Sequence, residues 1–225
     1  VTEHIPPIGR PRAAARASYD RIAPAYDLLE GAFEGPARNR GLRALAAADG
    51  ERVLEIGFGT GHALARIADA VGPEGRVVGI DISPRMRDVT ERRLARAGLA
   101  DRVDLIVGDA LEQDLGGPFD AAFMSFALEL LEEDDMLALL GAIRTALRPG
   151  GRLAVVAMAT PEGRPGAISR LYTWSHRRMP AVVDCRPIPV ADLLGRAGFE
   201  VQGVLRGSLF GIPYAIAGGV RPTTG

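Results

Sequence analysis

The sequence predicts an α/β fold, doubly wound around a mostly parallel sheet, and three observations carry that prediction. Short β-rich runs alternate with helical stretches from Arg52 onward, the pattern of βαβ units. A length of 225 residues suits one such domain with a large core and is short for two. Hydrophobic residues make up 47% and charged residues 24%, a globular composition rather than a disordered one.

Residues 1–11 are proline-rich and read as an extended arm. Arg12 to Leu29 reads as a helix broken near Pro24, and Ala37 to Ala48 as a second helix, neither of them part of the sheet. Residues 1–48 are therefore expected to form an arm with N-terminal lid helices, and residues 49–225 the main domain. Arg52–Ile56 (RVLEI) is the first strand and runs into a glycine cluster, after which Gly61–Val71 has helical spacing. Arg76–Ile80 is the second strand, and Pro84–Ala97 a helix with proline well placed in its first turn. Val103–Val107 and Phe119–Met124 are the third and fourth strands. Glu132–Leu147 reads as an amphipathic helix stopped by Arg148-Pro149-Gly150-Gly151, before a fifth strand at Arg152–Ala157.

The rhythm then changes. Thr160–Pro189 is rich in proline, arginine and aromatic residues and reads as a cap insertion over the carboxyl edge of the sheet after strand 5. A helix at Val190–Ala197 and strands at Glu200–Arg206 and Leu209–Ala217 follow, the last two as an antiparallel hairpin that completes a seven-stranded sheet.

Composition excludes several chemistries. The net charge is −1, and all 27 basic side chains are arginine, so Schiff-base, pyridoxal and P-loop lysine chemistry have no residue to use. The near-neutral balance argues against a nucleic-acid partner, and Arg10, Arg12 and Arg16 read as a solvated segment. The single cysteine, Cys185, allows no intrachain disulfide and reads as a packed small hydrophobe. His4, His62 and His176 lie far apart without ligand spacing, so no metal is expected. With no secretory signal and no apolar run of about 18 residues, the expectation is a soluble, cytoplasmic protein.

The most informative segment is Glu55-Ile56-Gly57-Phe58-Gly59-Thr60-Gly61. Alternate glycines after a strand let the backbone turn sharply and approach a ligand, and the helix beyond offers free N–H groups. The spacing G-x-G-x-G differs from the dinucleotide pattern G-x-G-x-x-G, whose third glycine would fall at His62, and Glu55 before the first glycine is a second difference. His62 reads equally as a ligand neighbour or as a helix surface residue. Asp81 ends the second strand, where a carboxylate can accept hydrogen bonds from ribose hydroxyls. Ile82 and Met86 can flank an adenine ring. Gly108-Asp109-Ala110 ends the third strand, where Asp109 can accept from the adenine amino group. Each carboxylate alone could be a helix cap, but caps would not recur at successive strand ends together with the glycine loop.

With VLEIGFGTG, GIDIS, GDA, FDAAFMS and LRPGGRL in this order, the chain resembles the class I S-adenosylmethionine-dependent methyltransferases over residues 12 to 217. The resemblance implies a Rossmann-like fold and S-adenosyl-L-methionine as cofactor. It implies that Glu55, Gly57, Phe58, Gly59 and Gly61 surround the methionine part, that Asp81 holds the ribose, and that Asp109 reads adenine. The segment Tyr19-Asp20-Arg21-Ile22-Ala23-Pro24-Ala25-Tyr26-Asp27 is similar to the first helix of ubiquinone/menaquinone C-methyltransferases and bacterial phosphatidylethanolamine N-methyltransferases. That likeness implies a cofactor lid carrying Tyr19 and Tyr26; the plain alternative is that both pack the helix onto the core.

Methyl transfer asks mainly for alignment and exclusion of water, so no universal catalytic residue is expected. Ser125 and Phe126 follow the fourth strand, where the acceptor must sit. His176, in the cap, can act as a base or can be an exposed helix-end histidine. Tyr19 is the second catalytic candidate. Asp184 and Arg186 read as an ion pair within Val183–Ile188, a run similar to one in related methyltransferases. Glu129 is expected to face solvent or cap the following helix. The Arg-Asn pair of quinone C-methyltransferases past the fourth strand is replaced by Ser125-Phe126-Ala127-Leu128-Glu129, which argues against a quinone acceptor. The expected function is methylation of a small, lipophilic molecule at carbon, oxygen or nitrogen, with peripheral membrane contact if the acceptor is lipid-like. The alternative is a non-catalytic, cofactor-binding regulatory module.

Overall fold

The computed structural model describes residues 34–160, 186–209 and 211–223. The first expected helix, Tyr19, Tyr26, His176, Asp184 and Cys185 lie outside the described residues.

Seven strands form one sheet in the order β3-β2-β1-β4-β5-β7-β6. They are β1 (Arg52–Ile56), β2 (Arg76–Asp81), β3 (Val103–Val107), β4 (Phe119–Ser125), β5 (Leu147–Met158), β6 (Glu200–Leu209) and β7 (Ile212–Val220). Strands β1 to β5 pair in parallel. β7 runs antiparallel to both β5 and β6, as the closing hairpin requires. Chain order reverses between β1 and β4, which opens a crevice at their carboxyl ends, where sheets of this kind bind ligands.

Alternation along the strands divides the core. Ala122 and Met124 of β4 face the apolar layer that includes Met136, Leu140 and Ile143 of α4 (Glu133–Ala146) and Leu193 of α5 (Val190–Arg196). Ala121 and Phe123 face the opposite layer, with Ala37 of α1 (Gly35–Leu45), Leu64 of α2 (His62–Ala70) and Met86 of α3 (Pro84–Ala97). Gly41 lets α1 lie close to the sheet: a Cβ there would come within 2.3 Å of Val156 and 3.1 Å of Phe123. Arg152 ties the end of α1 to the sheet, donating to the carbonyls of Leu45 at 2.6 Å and Ala46 at 2.7 Å while its guanidinium pairs with Glu51.

Helix α3 coincides with its expected span because its stops are local. Ser83 caps it by accepting from the Met86 N–H, Pro84 opens it, and Gly98 ends it in the left-handed region. The junction of α4 and β5 differs from the sequence reading. The helix ends at Ala146, and Leu147 already belongs to the strand, paired with Phe119. Arg148, Pro149 and Gly150 bulge into solvent between that pair and the next, Ala121 with Arg152. Arg148 meets Asp120 at 3.0 Å there, so the breaker residues interrupt a strand rather than separate it from a helix.

Candidate functional site

A cavity opens at the carboxyl ends of β1 to β4. The glycine loop forms its floor: Gly57 donates to the Ile80 carbonyl at 2.8 Å, and Gly61 to the Phe58 carbonyl at 2.8 Å. Gly57 has φ +74°, and a Cβ there would sit 2.6 Å from the Ala127 methyl, so a side chain would close the space between the loop and the chain just past β4. Helix α3 braces the loop from behind. Thr90 donates to the Gly59 carbonyl at 2.9 Å, and Arg93 Nε to the Thr60 carbonyl at 2.8 Å.

Asp81 stands at the centre. One carboxylate oxygen accepts from Gly59 N–H at 2.8 Å and the other from Ser83 N–H at 2.9 Å. A carboxylate held in this way presents its charge at the end of β2, inside the cavity. Asp109 accepts from Leu111 N–H at 3.0 Å, which fixes the turn after β3.

The cavity is lined by nine of the expected residues: Gly57, Gly59, Asp81, Ile82, Met86, Gly108, Asp109, Ala110 and Ser125. Glu55, Phe58 and Gly61 are not among the lining residues. Glu55 is buried in β1, Phe58 turns into the core beneath Gly79, and Gly61 precedes α2. Phe126, expected beside the acceptor, lines it as well, and so do Glu34 and Leu130, which were not expected to. Glu34, Asp81 and Asp109 bring three carboxylates to the wall, and no arginine lines it among the described residues. Thr90 and Arg93 were missed as well, although Thr90 interrupts the apolar stripe Met86, Thr90, Leu94, a sign that it faces something polar.

Beyond β4 the chain turns abruptly. Phe126 has φ +53°, unusual for a bulky residue, and its N–H donates to the Val156 carbonyl at 2.8 Å. Glu129 follows, and here the expectation of a solvent-facing or helix-capping residue is overturned. It is fully buried, and Oε1 accepts from Met158 N–H at 3.1 Å. Burial raises its carboxyl to about 7, against the opposing pull of its own and the Met158 N–H and of the Arg186 charge. Tertiary contact with the end of β5 places it there, which helix-start statistics do not see. Arg186 donates to the carbonyls of Glu129 at 3.3 Å and Leu131, and lies 3.6 Å from Glu132. Burial pushes its guanidinium below its ordinary value, with Glu132 and Glu129 pulling the other way.

Comparison with known proteins agrees with this geometry. Residues 53–151 match the family model described as a methyltransferase domain. The chain is 32% identical over 206 residues to nocamycin O-methyltransferase of Saccharothrix syringae, covering 90% of this chain and 69% of that protein. It is 32% identical over 151 residues to a ubiquinone/menaquinone biosynthesis C-methyltransferase of Teredinibacter turnerae, covering 64% of this chain but 59% of that one. Among solved structures, the [4+2]-cyclase SpnF superposes with a TM-score of 0.75 at 19% identity, over 96% of this chain and 99% of that chain, a likeness of fold.

Proposed function

Because the chain belongs to the class I S-adenosylmethionine-dependent methyltransferases, we propose that it transfers a methyl group from that cofactor to a small, lipophilic acceptor bound beside the end of β4. The charge of the cavity carries this reading. Three carboxylates, with no arginine lining the cavity among the described residues, favour a ligand with sulfonium and ammonium groups and oppose a dinucleotide pyrophosphate. Bound there, the cofactor supplies a methyl group on a sulfonium that leaves as a neutral thioether.

The residues of this chain bind and orient. Asp81, oriented by the Gly59 and Ser83 N–H groups at the end of β2, holds the ribose hydroxyls. Asp109 and Ala110 read adenine, with Ile82 and Met86 against its faces. Glu55 and the glycine loop hold the methionine part. Met124, Phe126, Leu130 and Leu139 exclude water and suit an apolar acceptor. Tyr19 and Tyr26 as lid residues, Tyr19 and His176 as catalytic groups, and a cytoplasmic location belong to the same proposal. So does peripheral membrane contact for a lipid-like acceptor; no helix among the described residues is long and apolar enough to cross a membrane. A non-catalytic, cofactor-binding module is disfavoured because the named relatives are methyltransferases.

Calorimetric titration with S-adenosylmethionine and S-adenosylhomocysteine, with NADH and NADPH as controls, tests the reading. Binding of the two sulfur ligands alone is expected. Binding of the nicotinamides alone, or of none of the four, would sink it.

A further inference from the structure

Two polar atoms, one on the last residue of β4 and one just past it, are buried and have no hydrogen-bond partner among the described residues: Ser125 Oγ and Glu129 Oε2. Ser125, Ala127, Leu130 and Leu131 line the cavity, and Glu129 sits in the same strap of chain. Such atoms are uncommon because each forfeits its hydration, at a cost of about 1–3 kcal/mol, and more when charged.

A purely structural role does not account for the carboxylate. The last rung between β4 and β5 is Phe126 N–H to the Val156 carbonyl, after which β4 has left the sheet. Met158, two residues further along β5, is served by substitutes: Glu129 Oε1 takes its N–H, and Ile188 N–H reaches its carbonyl at 3.0 Å. A glutamine would accept from Met158 equally well and would avoid placing an ionisable group in the core. What a glutamine cannot do is accept on both sides. Its amide has one acceptor atom, whereas a carboxylate has two. Beyond the Met158 N–H and its own N–H, the carboxylate thus keeps in Oε2 an acceptor that an amide would not offer to a further donor.

We propose that this further donor is the hydroxyl of the methyl acceptor, that Glu129 and Ser125 form the polar end of an otherwise apolar acceptor subsite, and that the acceptor is a phenol or enol. The inference rests on the methyltransferase reading above. In the proton step the acceptor O–H bond breaks, the proton passes to Glu129 Oε2, and the electron pair stays on the acceptor oxygen. Glu129 later returns the proton to solvent. Arg186 is the charged group packed against this carboxylate; it holds the strap through the Glu129 and Leu131 carbonyls and is itself balanced by Glu132.

The test is fluorescence titration of the full chain, saturated with S-adenosylhomocysteine at about pH 8, with naphthol and with its methyl ether methoxynaphthalene. The two probes differ by the donated proton. Wild type should bind naphthol at least about tenfold more tightly than the ether, the scale of one charge-assisted hydrogen bond. Glu129→Gln should abolish that preference while binding S-adenosylhomocysteine as wild type does, which also establishes that the variant folds. A preference that survives in Glu129→Gln, or a wild type that does not prefer naphthol, would overturn the proposal. Failure of wild type to bind S-adenosylhomocysteine would instead reject the cofactor reading on which it rests.

Discussion

Replacing Glu129 with glutamine should change how stability depends on pH, in a direction and amount set by its burial. The carboxyl rises from an ordinary 4.5 to about 7 on folding, chiefly because the core cannot solvate its charge. The folded protein thus binds this proton more tightly than the unfolded chain. The stability it contributes is fully present below about pH 4.5 and is lost as pH rises through about 7. Integrating between pH 5 and pH 8 gives a loss of about 2.5 kcal/mol for this one group. Glutamine does not titrate and keeps the bond to Met158 N–H, so it supplies the reference. Urea unfolding of both proteins across that range should show wild type falling relative to the variant by about that amount, or roughly 5–10 °C in melting temperature. Curves that stay parallel would mean that Glu129 is hydrated or paired in solution, and the argument from its burial would fail.

Four further outcomes follow from the same geometry. Asp81→Ala should weaken S-adenosylmethionine binding more than tenfold by calorimetry, because it removes the proposed ribose contact and the acceptor that holds Gly59 and Ser83; unchanged affinity would remove Asp81 from the site. Gly57→Ala, which places a methyl 2.6 Å from Ala127 at φ +74°, should reduce cofactor affinity at least tenfold in the same assay, and normal binding would show that the loop does not meet the ligand. Arg152→Ala should destabilise the fold by about 2 kcal/mol in urea, since two carbonyls at the end of α1 and Glu51 lose their charged donor; a cofactor affinity that falls with it would show that α1 shapes the cavity. With any hydroxyl acceptor that is turned over, the rate should rise with pH through about 7 as Glu129 ionises, and that limb should vanish in Glu129→Gln.

The parts of the fold legible in the sequence are those with local causes. β1 and β3 fall on their expected residues because each is a short β-branched run between turns, and α3 because Ser83, Pro84 and Gly98 punctuate it. The helical period of the sequence reaches Leu147, and Pro149-Gly150 has the composition of a helix stop. The pairing of Leu147 with Phe119 is a contact across 28 residues, and such contacts leave no trace in a local window. The hairpin turns three residues later than expected: Leu209 ends β6, paired with Ile212, and β7 runs on to Val220, paired with Glu200.

The candidate site divides the same way. Residues that line the cavity through backbone or strand-end position, such as Gly57, Asp81 and Asp109, declare themselves by motif and spacing. Residues that act by replacing a missing neighbour do not. Glu129 had one sign in the sequence, a lone acid within Ala127-Leu128-Glu129-Leu130-Leu131, and that sign is shared by every helix start with an acidic first turn. The turn at Phe126 gives it a different meaning, because β4 leaves the sheet there while β5 continues for two more residues. The exposed rung on β5 calls for an acceptor, and the acceptor supplied has two oxygens for one N–H. The departure of β4 both opens the space in which an acceptor can lie and buries a carboxylate in the strap between Ala127 and Leu130, which line that space. Binding space and proton acceptor thus arise from a single break in strand pairing.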